Sequence, residues 1–258
     1  MSFAHGRLSG LALHGPALFF LMMLSSLLLS ACRQPGAEHW YQGVSLGTGY
    51  HITLYADLEP ERLAEIGAGI QGELASLELQ RTAYRRISGA AFRRWWQSPP
   101  AAWQHEVDRR FHALAVDRLT TWLDRYLDVP SSVLVEVGGI MRGSGSEPVA
   151  GWRLSLDQAG LPGADGARHV RLKDAALVHR FAQQEAAPLV SPATPLSVSV
   201  IAESASAAMH QASQLIHAGP NEALGQAQAL DSAARVVVKT SQSIEIHHTA
   251  ALEPWLEP

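Results

Sequence analysis

His210, Ser213 and His217 fall at i, i+3 and i+7 of a segment with helical patterning, so they share one stripe. Two imidazoles and a hydroxyl on one stripe could hold a metal ion. Imidazole would shift the preference from magnesium toward zinc, copper or nickel. The same spacing also describes two solvated histidines near a helix C-terminus, where positive charge is favourable. A second reactive position is Cys32, the only cysteine of the 258-residue chain. It follows Leu29-Ser30-Ala31, after an apolar run over 17–29 and a start that carries Arg7 and no acid. A positive start, an apolar run and small residues before the cysteine predict a secretory signal over 1–31. The run is shorter than the roughly 20 residues a spanning helix needs. Cleavage would leave Cys32 first in the chain and lipidated, followed by a polar tether over 32–40 and one domain over 41–258. The expectation is a periplasmic protein held to membrane lipid through Cys32, inner or outer membrane unassigned.

Residues 83–103 are basic (Arg85, Arg86, Arg93, Arg94) and rich in tryptophan (Trp95, Trp96, Trp103). They suit either a surface segment anchored by tryptophans or a groove for a flat anionic ligand, since guanidinium fits phosphate and aromatic planes stack. Other chemistries lack their residues. No Gly-x-Ser-x-Gly turn supports a hydrolase, and no phosphate loop or dinucleotide glycine pattern is present. A net charge of −4 gives no footprint for nucleic acid. One cysteine excludes an internal disulfide and a cysteine zinc site. His105 and His112, i and i+7 on a predicted helix, are expected to be solvated.

These groups need positioning elements. Tyr50, Ile52 and Leu54 alternate with polar neighbours and predict a strand. Asp57 and Pro60 open a helix whose stripe is Leu63, Ile66, Ile70, Leu74 and Leu77. Glycines 67, 69 and 72 in that helix suggest close packing against a sheet. A less regular stretch follows from 83. The second helix is predicted over 107–127, burying Phe111, Leu114, Trp122, Leu123 and Tyr126. Strands are predicted at 133–137, 152–156 and 196–202, with a turn at Gly143-Ser144-Gly145. Residues 169–172 and 175–181 are predicted as a hairpin, as are 236–239 and 244–247. Ser204 or Ser206 caps a helix that Gly219-Pro220 stops, and 221–230 is a further helix. Strands and helices mix without strict alternation, which predicts a single α+β domain.

The order of these pieces resembles the FAD:protein FMN transferase family, the ApbE-type periplasmic lipoproteins. Leu46-Gly47-Thr48-Gly49-Tyr50 is similar to its Met-Gly-Thr strand, and Thr82-Ala83-Tyr84 to its Ser-x-Tyr segment. The strand at 133–137 with Gly138-Gly139 resembles its Val-Gly-Gly strand, and Trp152-Arg153-Leu154 its Trp-Arg strand. Residues 197–219 are similar to its late strand and helix. The resemblance implies an enzyme that binds FAD with a divalent metal, usually magnesium. A threonine hydroxyl of a target protein attacks the pyrophosphate, FMN is left on the protein and AMP departs. It implies Tyr84 as the ring that stacks on flavin and Gly138 and Gly139 as places where flavin approaches the backbone. It implies His179 as the motif histidine, serving catalysis or cofactor binding.

The chain also departs from that pattern. The late helix of the family carries Asp-x-x-x-Thr for the metal. Here Met209 stands at the aspartate and Ser213 at the threonine, with His210 beside the lost position as a substitute ligand. A thioether is a poor magnesium ligand. The histidine motif keeps His179 and Pro188, but Ala182, Gln183 and Ala186 replace its Asp, Pro and Gly. The Asp-Leu-Gly-x-Ile-Ala-Lys-Gly motif is represented only by residues 111–117, without its glycines or lysine. The expectation is a shortened, diverged member in which these losses argue against catalysis. The alternatives are an active transferase with a rebuilt metal site, and a non-catalytic lipoprotein that binds flavin or a partner protein of a membrane redox complex.

Overall fold

The computed structural model describes residues 36–93, 101–129, 131–145, 151–156, 168–182, 195–239 and 243–257. The signal, Cys32, Trp95, Trp96 and Pro188 lie outside them. Strand β1 (Glu38–Ser45) pairs antiparallel with β2 (Thr48–Tyr55). Leu46 and Gly47 join them, both with positive φ (55° and 77°), the pattern of a two-residue type I′ turn. The alternation read from the sequence holds in β2, where Tyr50, Ile52 and Leu54 are all buried. Two expectations change here. Residues 38–40, expected in the tether, belong to β1. The family-like Leu46-Gly47 is a turn rather than part of a strand.

Helix α1 runs unbroken over Pro60–Arg93 and α2 over Ala101–Tyr126. The irregular stretch expected from 83 is therefore helical through Arg93, and the Tyr84 segment lies inside α1. Alanine and arginine are good helix formers, and no proline interrupts the chain before Pro99. Gly69 is explained by a helix rather than a sheet: a Cβ there would sit 2.3 Å from the Trp122 ring of α2. On α2 the buried stripe is Val107, Ala113, Ala115, Val116, Leu119, Thr120 and Leu123. Leu114, expected inside, is 40% exposed. Burying leucines such as Leu119 and Leu123 contributes about 1.5–3 kcal/mol each.

The chain then forms β3 (Ser132–Val137) and β4 (Ile140–Gly145), joined by Gly138 and Gly139 with φ of 60° and 81°. Residues 143–145, expected as a turn, are the end of β4. Gly143 is there because Trp152 packs on it; a Cβ would lie 2.6 Å from that ring. Strands β5 (Trp152–Ser155) and β6 (His169–Leu172) pair as a separate two-stranded sheet. Strand β7 (Ala175–Phe181) instead joins β4 and β8 (Pro195–Ala202). The hairpin expected between β6 and β7 is thus absent, because Asp174 takes a positive φ (49°) and the chain passes from one sheet to the other. Helix α3 (Ala205–His217), helix α4 (Pro220–Ala229), β9 (Ala233–Lys239) and β10 (Ile244–His248) follow, and the β9–β10 hairpin matches its expectation. A 3-10 helix, Ala250–Trp255, comes last.

The main sheet has the order β1-β2-β3-β4-β7-β8-β9-β10, with antiparallel neighbours throughout. The helices cover one face. Ile52, Val135, Val178 and Val200 from the strands pack there with Ile70, Leu119 and Leu215 from the helices. The other face carries a smaller core, in which Leu177 and Ile201 meet Leu172 of β6 and Leu252 of the 3-10 helix. The result is an α+β domain, as expected from the mixture of elements.

Candidate functional site

Side chains alternate along β7, so Ala176, Val178 and Arg180 face the helices while Leu177, His179 and Phe181 face away. Arg180 is 1% exposed. Its Nη1 donates to Glu106 Oε2 on α2 at 3.1 Å and to the Ser213 hydroxyl on α3, and lies 3.9 Å from Met209 Sδ. Ser213 Oγ donates to Glu106 Oε1 at 3.3 Å, and Arg110 Nε to the same oxygen at 3.3 Å. Burial pushes the Glu106 carboxyl up, but the attraction of Arg180 and hydrogen bonds from Arg110 and Arg180 outweigh it, so the group sits below its ordinary value. Beside this cluster is a pocket of about 280 Å³, lined by Glu106, Arg110, Ala113, Ser206, Met209, His210 and Ser213.

The N-terminus of α3 borders the pocket at Ser206. Exposed helix N-terminal amides are ready anion sites. Here they are already used. Asp117 accepts from Ala205 N (2.8 Å) and Ser206 N (2.9 Å), and Ser204 Oγ accepts from Ala207 N (3.1 Å). Arg142 donates to the same Asp117 at 2.9 Å. The aspartate that ends the weakly matching 111–117 segment is thus a cap held by a salt bridge.

Midway along α2, His112 Nε2 donates to the Leu46 carbonyl at 3.0 Å, and Arg81 Nη1 donates to it at 2.7 Å. The β1–β2 turn is pinned to both long helices. His112, expected to be solvated, is part-buried, and burial lowers its pKa despite the hydrogen bond to Leu46. A Cβ at Gly138 would lie 2.7 Å from His112 Nδ1, so glycine is required there by packing and by its positive φ. Gly138 and Gly139 border an open depression of about 680 Å³ with Thr48, Gly49, His51 and Glu136. Tyr84 is 48% exposed, and its ring lies 6.5 Å from Trp103 and 6.1 Å from Phe111. Tyr84 lies by Phe111 and Gly138 by His112, adjacent residues midway along α2.

His179 belongs elsewhere. It faces away from the helices, its Nδ1 2.8 Å from Ser199 Oγ, and its Nε2 is buried with no partner among the described residues. Burial and then the Arg235 charge lower its pKa to about 4. Register places His179, Ser199, Arg235 and His248 side by side across four strands. His179 therefore cannot share a site with His210 and Ser213, which lie beyond the sheet. His210 is exposed at the pocket rim, and His217 Nδ1 donates to the Ser213 carbonyl at 2.6 Å. Among the described residues no three His, Cys, Asp or Glu side chains are grouped to hold a metal.

The pocket does not fit the magnesium the resemblance implies. A hard divalent ion needs several free oxygen ligands. Glu106 and Ser213 are the oxygens at the cluster, and both are engaged by a guanidinium. Arg180, Glu106 and Asp117 were not picked out from the sequence. A signal existed for Arg180, since alternation with Ala176 and Val178 puts it on a buried face. Glu106 fell one residue outside the predicted helix.

An antiparallel sheet carrying two long and two short helices on one face defines a known α+β class. It is the fold of the ApbE-type flavin transferases. The chain is similar in structure to "Flavin Transferase ApbE from Vibrio cholerae", with TM-score 0.64 and 12% identity over 86% of this chain and 100% of that one. It is similar to the apo flavinyl transferase ApbE of Pseudomonas stutzeri, with TM-score 0.59 and 16% identity over 86% and 98%. The ApbE protein of Thermotoga maritima gives TM-score 0.63 and 11% identity over 86% and 100%. No protein-family model and no curated protein matches the chain by sequence.

Proposed function

We propose that the chain is a membrane-tethered periplasmic lipoprotein built on the flavin-transferase scaffold, which binds a flavin or a partner protein without transferring FMN. Arg180 carries this reading. Metal-dependent transfer needs a divalent ion to clamp phosphate oxygens and offset developing charge. At the helix where the resemblance puts the metal ligands, a buried guanidinium engages Ser213 and Glu106 instead. The capped N-terminus of α3 supports the same conclusion, since its amides are not free for phosphate. Lipid on Cys32 would keep the domain at a membrane surface. There the exposed Tyr84 and the depression over Gly138-Gly139 are the places for a flavin to dock.

The test is a calorimetric titration of the full chain with FAD, with and without magnesium, paired with mass spectrometry of threonine peptides after incubation. The expected result is no magnesium-dependent binding and no peptide carrying FMN. Magnesium-dependent binding with FMN-loaded peptide would overturn the reading. Metal-independent FAD binding that weakens in Tyr84→Ala would make flavin the occupant. Absence of all flavin binding would leave a protein partner.

A further inference from the structure

We infer that the guanidinium of Arg180 has taken the place of a divalent cation, so that a metal site survives in latent form two substitutions away. The inference rests on the reading of this cluster as the counterpart of the transferases' metal site. Arg180 joins three elements: β7 through its own backbone, α2 through Glu106, and α3 through Ser213 and Met209. A buried positive charge needs an anionic partner held close. Glu106 supplies it, and the depressed carboxyl keeps its charge at neutral pH. A second cation among the same oxygens would meet strong repulsion at contact distance.

Met209 completes the arrangement. Its thioether is soft and uncharged, suited to lie against a guanidinium and unsuited to magnesium or manganese. It is 4% exposed and packs beside the Arg180 guanidinium, with its sulfur 3.9 Å from Nη1. With Arg180 shortened and an oxygen placed at 209, the Glu106 carboxylate, the new carboxylate and the Ser213 hydroxyl would converge from two helices. That set, completed by water from the adjoining pocket of about 280 Å³, suits a hard divalent ion.

The test uses the full chain in detergent and manganese alone as the probe, read by the electron paramagnetic resonance of free Mn2+ and by thermal unfolding. Wild type and Met209→Asp should bind the ion only weakly, since Arg180 stays paired with Glu106 and, in the variant, with the introduced carboxylate as well. Arg180→Leu combined with Met209→Asp should bind one ion at least about tenfold tighter than wild type. Its melting temperature should rise with manganese and fall again with a chelator. Equal uptake by Met209→Asp alone would show that Arg180 does not exclude the ion, and would overturn the inference. So would a folded double variant that binds none, or one that manganese fails to restore on refolding. Failure of this kind leaves the non-transferring reading intact, because FMN transfer by the wild type is measured separately. Magnesium-dependent transfer by the wild type would remove both.

Discussion

Two buried arginines lie on opposite faces of the same sheet, in different surroundings. Arg180 faces the helices and meets a carboxylate, Glu106, whose pKa drops below its ordinary value. Arg235 faces away, donates to the Leu156 carbonyl at 2.6 Å, and stands in a row with Ser199 and His248. The histidines of that row answer burial and nearby positive charge by giving up protons: His179 falls to about 4 and His248 is also lowered. One face thus sets its arginine against a carboxylate, and the other sets its arginine in a row with histidines of lowered pKa. An ion pair closes a site to further cations. Neutral rings leave a face that responds to acid.

The largest expected effect is on the helix face. Glu106→Ala leaves the Arg180 guanidinium without its carboxylate and should cost about 3 kcal/mol, measured by urea unfolding at neutral pH. A loss well under 1 kcal/mol would mean that Glu106 does not hold Arg180.

Acid should separate the two faces by pH window. His179 has a folded value below the ordinary 6.5, so the unfolded chain takes the proton first. Its stabilising contribution is complete above pH 6.5 and is lost as pH falls toward 4, by up to about 3 kcal/mol. His112 and His248 act in the same direction. Glu106, also lowered, loses its contribution only as pH falls below the ordinary carboxylate value of 4.5. His179→Gln should flatten the upper part of the stability curve, and Glu106→Ala the lower part. Chemical denaturation at a series of pH values reads both, and a single slope common to both variants would break the distinction. The smallest effect is expected from Ser199→Ala, which removes the partner of His179 Nδ1 and should cost about 1 kcal/mol in the same assay.

Much of the fold was legible because burial writes short-range patterns. The alternation of Tyr50, Ile52 and Leu54, a cap read as Ser204 or Ser206 and found at Ser204, and the stop at Gly219-Pro220 each act within a few residues. The errors fall where a distant partner decides. Gly143 reads as a turn residue until Trp152 is seen lying on it. His112 reads as solvated until the Leu46 carbonyl is seen beside it. Strands β6 and β7 read as a hairpin because only Asp174 and the neighbouring sheets separate them.

The candidate site divides in the same way. The resemblance read from the sequence put Met209 and Ser213 where the family carries its metal ligands, and a thioether is a poor magnesium ligand whatever the fold. Residue types alone determined the single cysteine behind an apolar run and the absence of any internal disulfide. Only the tertiary structure decided what surrounds those two side chains at 209 and 213. Glu106, Arg180 and Ser213 are separated by 74 and 107 positions from Glu106 onward, and nothing local couples them. They meet because α2 and α3 pack on the same face of the sheet as the side chain of Arg180. Once buried there, a guanidinium must find a carboxylate.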